Sequence, residues 1–145
     1  MECVLAFDIG EKRVGIAASD FRGRVSSPVD VLTLSEVTQR SPRLKRIVED
    51  HEPALFLFGL PRSLSGEESA QTQRVRALAK QIAQVWEMPY DFCDERLSSK
   101  EAKRILRESG LDERKQRGKV DMVAASLFLQ TYLDGHVAPE DAPRQ

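Results

Sequence analysis

At 145 residues, 41% of them apolar and 31% charged, the chain is sized for one domain with a core of its own. Its 22 basic and 23 acidic side chains leave a formal charge of −1. That excludes a uniformly basic coat, so any nucleic-acid contact must come from a local patch. Two cysteines, Cys3 and Cys93, exclude a disulfide scaffold and a four-cysteine zinc site, and both sit in apolar runs as buried thiols do. No apolar stretch approaches the roughly 20 residues of a membrane span. The first residues lack a basic start and Asp8 interrupts their apolar run, so a signal peptide is not expected and the cytoplasm is the default location.

Cys3 to Ile9 is a short, nearly continuous apolar run closed by Gly10, the pattern of a buried strand. Val14 to Ser19 follows after four residues, so a hairpin is expected, with Gly10 and Gly15 serving its geometry. A third strand is expected over Val25 to Leu34, with Asp20 to Arg24 as its turn and Pro28 favouring an edge. Ser41 before Pro42 has the form of an N-cap and first helical residue, and Leu44, Ile47, Val48 and His51 keep helical spacing down to Pro53. Leu55 to Gly59 reads as another buried strand, leading into a tight loop with Pro61 and Gly66.

Ser65 and Glu68 have capping-box spacing, and Val75, Leu78, Ala79, Ile82, Val85 and Trp86 form one apolar helix face ended by Met88 and Pro89. Tyr90 to Cys93 is a short strand running into Asp94, Glu95 and Arg96. Ser98 and Glu101 repeat the capping box and begin a charged helix expected to stop at Gly110. Leu111 to Lys119, poor in apolar residues, is expected to be a mobile loop. Val120 to Leu133 reads as a helix with Val120, Val123, Ala124, Leu127 and Phe128 inward. Residues 1–134 form the expected domain, and 135–145 a frayed tail. Antiparallel strands first and β-α-β units afterwards imply an α/β chain with a mixed sheet under helices.

Three acids stand out. Asp8 ends an apolar strand, where a charge is costly unless paired or bound to metal. Glu95 lies just past another strand, and Asp121 on the first turn of an apolar helix. If strand ends and helix starts gather along one sheet edge, the three would repel one another and a divalent cation would relieve them. Oxygen-only ligands point to Mg²⁺ or Mn²⁺ rather than zinc. Taken singly, each has a structural reading: Asp121 stabilises a helix start, and Glu95 pairs with Arg96.

Asp8 through Arg13, Gly15 and Ala17 resemble the opening motif of the YqgF/RuvX family, RNase H-like proteins related to the RuvC Holliday-junction resolvases. Gly59, Leu60 and Pro61 with Gly66 are similar to its second motif. Asp94, Glu95, Arg96 and Leu97 followed by Ser98 and Ser99 resemble the third. Gly118, Lys119, Val120 and Asp121 with Ala124 and Ala125 resemble the fourth. The resemblance implies an RNase H-like fold, a mixed five-stranded sheet flanked by helices on both faces. It also implies a nuclease that matures the 5′ end of precursor 16S ribosomal RNA.

By motif position Asp8, Glu95 and Asp121 would be the catalytic, metal-holding triad, with only one of Asp94 and Glu95 facing the site. Two ions about 3.5–4 Å apart would activate water and stabilise the leaving oxygen, Asp8 bridging them. Arg13 and Arg96 would steer the scissile phosphate, although Arg13 serves equally as a structural ion pair. Ser98 and Ser99 stand where the family has threonines. Relative to the classical resolvases, Gly59, Leu60 and Pro61 replace a carboxylate at the end of their strand.

Positive charge is concentrated between the proposed ligands. Residues 96–119 carry nine cations against four anions, and Lys100, Lys115, Arg117 and Lys119 are the expected substrate contacts with Arg13 and Arg96. A solvated helix laced with ion pairs is the alternative. The expected partner is nucleic acid, RNA before DNA, in the setting of pre-ribosomal particles, with no membrane and either a monomer or a homodimer. Rival readings are a Holliday-junction or single-stranded DNA nuclease, a non-catalytic RNA-binding maturation or transcription factor, and an actin-like ATPase suggested by Asp8 and Gly10.

Overall fold

The computed structural model describes residues 2–61, 69–95, 98–108 and 113–135, with side chains at 98–100, 106 and 113–117 outside the description. β1 (Val4–Ile9), β2 (Arg13–Ser19) and β3 (Ser26–Thr33) join antiparallel. β4 (Leu55–Leu60) and β5 (Tyr90–Asp94) run parallel on the other side of β1, giving the order β3-β2-β1-β4-β5. This is the expected mixed five-stranded sheet. Pro28 lies on the edge strand β3, opposite Ala17, where the register shifts and a missing N–H costs least.

Alternation along the strands divides large from small. Leu5, Phe7, Val14, Ile16, Phe56 and Phe58 build one core, with the Phe7 and Phe58 rings stacked 5.1 Å apart. It is covered by α1 (Leu34–Thr38), α2 (Pro42–His51) and α3 (Ala70–Trp86). The opposite face offers Ala6, Ala17 and Leu57, and α5 (Glu113–Gly135) lies on it through Ala125, Phe128, Leu129 and Leu133. α4 (Ser98–Glu108) packs against α5. Helices therefore flank both faces. Ser26 fixes α5 to the sheet edge, its hydroxyl donating to the Ser126 carbonyl at 2.6 Å and its N–H to Gln130 Oε1 at 3.0 Å.

Four expectations change. The stretch read as a loop over 111–119 is helical from Glu113 and continuous with α5. Its Glu, Arg, Lys and Gln are good helix formers that carry no apolar period. Within α5 the buried set is Ala124, Ala125, Ser126, Phe128, Leu129 and Leu133, while Val120, Val123 and Leu127 are half-buried. The cap of α3 is Ser69 with Thr72, since the helix starts at Ala70; Ser65 and Glu68 lie outside the described residues. α1, capped by Thr33 and Glu36, was not expected at all. Residues 136–145, the expected tail beyond Gly135, also lie outside the description. Among the described residues no helix is long and apolar enough to cross a membrane.

Candidate active site

Strand parity puts Asp8 on the α5 face, next after Ala6 on that side. Its partner on β2 is Gly15. On β4 the pairing of Phe7 with Phe58 makes Gly59 its neighbour. Asp8 thus sits between two glycines, and both absences of a side chain are used. A Cβ on Gly15 would lie 2.1 Å from the backbone carbon and oxygen of Asp121. Helix α5 passes directly over Gly15, and this brings Asp121 toward Asp8. A Cβ on Gly59 would lie 2.6 Å from Glu95 Oε2 and 2.7 Å from the Phe128 ring. Gly15 is therefore a packing residue in the middle of β2, not the hairpin residue expected. Gly10 is in the turn, donating to the Arg13 carbonyl at 2.8 Å.

Glu95 follows β5 and its N–H donates to the Leu60 carbonyl at 3.2 Å. It shares the parity of Cys93, which packs on the α5 side, whereas Asp94 is exposed. Asp8 is 8% exposed. Burial pushes its carboxyl above the ordinary range, a hydrogen bond with Glu95 works against that, and the charge of Asp121 adds to it. Glu95 is pushed up to about 9, first by burial and then by the charge of and hydrogen bond to Asp8, with Asp94 and Asp121 contributing. At neutral pH Glu95 therefore keeps its proton and donates it to Asp8. Two carboxylates this close and this dry cannot both ionise.

Asp121 is raised by burial and partly restored by Arg13. Arg13 Nε lies 3.6 Å from Asp121 Oδ2, with the side chains 54% and 26% exposed. The structure thus brings Asp8 and Glu95 into contact and Asp121 into their electrostatic reach, but turns Asp121 to Arg13. Among the described residues no three Asp, Glu, His or Cys side chains converge closely enough to hold an ion as they stand. The donor set nevertheless fits a hard divalent cation in kind. It is all oxygen, and its buried pair holds a proton where a cation would relieve the same repulsion.

The turn from Gly10 to Arg13 walls the site. Arg74 on α3 donates through Nη2 to the Gly10 and Glu11 carbonyls at 3.1 and 3.3 Å, while its Nη1 is buried without a partner among the described residues. Beside the turn lies a groove of about 560 Å³ lined by Gly10, Glu11, Lys12, Arg13, Thr33 and Asp121. Sequence reasoning missed Lys12, Arg74 and the packing roles of Gly15 and Gly59. Lys12 could have been flagged by its place beside Arg13; the others need the register.

Of the expected cations, Lys119 is exposed on α5. Arg96 and the side chains of Lys100, Lys115 and Arg117 lie outside the description. Arg104 pairs with Glu101 and Glu108 at 3.3 and 3.2 Å, so part of α4 is laced by ion pairs as the alternative reading held. His51 is bonded to the Ile47 carbonyl at a helix end, away from the acids.

Comparison with known proteins gives concordant matches. The family model described as RuvX, Holliday junction resolvase, matches residues 2–135. A relative from Methylobacillus flagellatus is 38% identical over 133 residues, covering 92% of this chain and 91% of its own. One from Dictyoglomus thermophilum is 40% identical over 131 residues, covering 90% and 94%. Both carry the name "Putative pre-16S rRNA nuclease". Among solved structures, Thermus thermophilus RuvC in complex with Holliday junction substrate aligns with a TM-score of 0.52 at 14% identity, covering 94% of this chain and 98% of that one. The Fowlpox virus resolvase with its junction DNA aligns with a TM-score of 0.55 at 12% identity, covering 94% and 99%. At those identities the likeness is one of fold, the RNase H-like arrangement of sheet and helices.

Proposed function

This chain belongs to the RuvX family, and from that premise we propose that it is a nuclease that hydrolyses phosphodiester bonds at the 5′ end of precursor 16S ribosomal RNA in the cytoplasm. The observation that carries the reading is the buried Asp8–Glu95 pair with Asp121 beside it. An apolar strand end is a costly place for a carboxyl pair, and structural needs alone would be met by apolar side chains. Relatives at 38% and 40% identity named for this substrate support the choice of RNA.

Asp8, Glu95 and Asp121 are the residues that would hold Mg²⁺ or Mn²⁺. A divalent ion there supplies positive charge to the phosphate and lowers the pKa of an attacking water. The chain's own residues do the rest. Glu95 would release to solvent the proton it shares with Asp8, leaving two anionic carboxylates. Asp121 would turn from Arg13 to join them, breaking a long and half-exposed ion pair. Arg13 is then free to neutralise a phosphate oxygen. Positive charge for the substrate is supplied by Lys119, exposed on α5, and in the sequence reading by Arg96, Lys100, Lys115 and Arg117.

The test is cleavage of labelled precursor-rRNA fragment, single-stranded RNA, single-stranded DNA and a four-way junction by wild type and Asp121→Asn, in Mn²⁺, Mg²⁺ and EDTA. Metal-dependent cutting of the rRNA fragment, lost in the variant, is expected. Preference for the junction would move the substrate to DNA. Binding without cutting on every substrate would reject the enzyme reading in favour of an RNA-binding factor.

A further inference from the structure

The turn between β1 and β2 has its backbone tied from three elements. Gly10 N–H bonds the Arg13 carbonyl, the Leu34 N–H at the start of α1 bonds the Lys12 carbonyl at 2.8 Å, and Arg74 of α3 bonds the carbonyls of Gly10 and Glu11. Such a turn holds its side chains in place without using them. Arg13 is engaged with Asp121. Lys12 and Glu11 are exposed, and neither has a side-chain partner among the described residues.

These side chains line the groove together with Asp121, ion-paired to Arg13, and Thr33, the partner of Arg13 on β3 where that strand gives way to α1. Thr33 has its hydroxyl in the helix cap with Glu36. Lys12 is therefore the uncommitted cation of the lining. Its ammonium is a compact point charge suited to a phosphate oxygen. The groove's volume of about 560 Å³ falls within the range of small-ligand sites, about 300–1,000 Å³.

We propose that this groove seats the nucleotide next to the one being cut, with Lys12 on its phosphate, so that the substrate strand leaves the acids over the β1–β2 turn toward Thr33. The inference rests on the nuclease reading and adds a direction to it. Glu11 works against the phosphate from the same turn, so removing its charge tightens the seat.

Binding of a labelled single-stranded RNA to the full chain in EDTA is measured across salt concentrations. Lys12→Ala should weaken binding about tenfold, the loss of one charge-assisted hydrogen bond, and lower the salt slope by about 0.7. Lys12→Arg should keep most of the affinity and Glu11→Gln should raise it. Lys45→Ala removes an equal charge from the exposed side of α2 and should change neither quantity. In Mn²⁺, oligonucleotides carrying one neutral methylphosphonate linkage are then cut. The linkage flanking the cut should slow wild type and leave Lys12→Ala no slower than it already is.

Equal affinity and slope in Lys12→Ala and wild type overturn the proposal while leaving the nuclease intact. So does a methylphosphonate penalty undiminished in the variant. If wild type cuts nothing but Lys12→Ala still binds more weakly, the nuclease reading falls and the groove stands as a nucleic-acid seat.

Discussion

Gly15→Ala is the sharpest test of how the acids are assembled. Ordinary van der Waals contact begins near 3.4 Å, and the new methyl would stand 2.1 Å from the backbone carbon and oxygen of Asp121 and 2.5 Å from the Met122 nitrogen. Backbone atoms cannot rotate aside, so α5 must move outward by about 1.3 Å at the residue that carries the third acid. Overpacking of this sort costs about 1–3 kcal/mol, and a chain of this size loses about 2–4 °C of Tm per kcal/mol. A fall of several degrees is expected. Cleavage should fall further, by about 100-fold, the usual consequence of misplacing a reacting group by about 1 Å. Gly118→Ala is the control in the same helix. A Cβ there meets nothing within 4 Å, so it should raise stability by about 0.5–1 kcal/mol. Thermal unfolding and the rate of rRNA-fragment cleavage are measured together. Wild-type Tm and rate in Gly15→Ala would refute the account of α5 riding on this glycine.

Gly59→Ala drives a methyl into Glu95 Oε2 and the Phe128 ring. Both are side chains that can yield, so a smaller Tm loss than in Gly15→Ala should accompany about tenfold slower cleavage; unaltered cleavage counts against Glu95. Asp8→Asn removes the buried charge and keeps the shape, so cutting should be nearly abolished with no loss of Tm at pH 8, and a variant that cuts like wild type ends the mechanism. Glu95 holds its proton to about 9 in the folded chain against an ordinary 4.5. Between those values the folded state binds more protons than the unfolded one, and stability falls as pH rises. The Tm of metal-free protein should therefore drop from pH 5 to pH 8.5, less so in Glu95→Gln, and Mn²⁺ should restore it; parallel curves for the two proteins would show that Glu95 is not the group responsible.

β1 and β4 were legible as apolar runs bounded by turn residues, Gly10 after β1 and Pro53 before β4, and β5 as a short segment following Pro89. Strand alternation allowed only one of Asp94 and Glu95 to face the site, and the motif resemblance pointed to Glu95. What escaped the sequence had a different cause in each case. The first turns of α5 are made of residues that favour helix without marking a buried face. α1 has five residues, too few for a period. Gly15 reads in sequence as a turn glycine because its neighbours in space, Asp8 on the adjoining strand and Asp121 from a helix more than 100 residues later, are fixed by register and by which helix crosses that strand. Arg74 acts on carbonyl groups of another element and leaves no trace in local pattern.

The two kinds of support for the acids carry a mechanistic consequence. Asp8 comes from β1, a strand paired on both sides, and Glu95 from the end of the edge strand β5, tied by its N–H to the Leu60 carbonyl; they share one proton because burial forbids two charges. Asp121 comes from a helix, is only partly buried, and is held by an arginine at 3.6 Å, a contact of the exposed kind worth about 1 kcal/mol or less. Under the proposed function Asp8 and Glu95 would hold a divalent ion only once their shared proton is released, so affinity for the ion should rise with pH, and Asp121 would join them at the cost of that weak contact. Arg13, which also lines the groove, would then be available to a phosphate oxygen. Under the proposed function the proton on Glu95 and the cation on Arg13 would be placeholders that keep three carboxyl groups together in the resting chain, the first standing where a metal would bind and the second where a phosphate would.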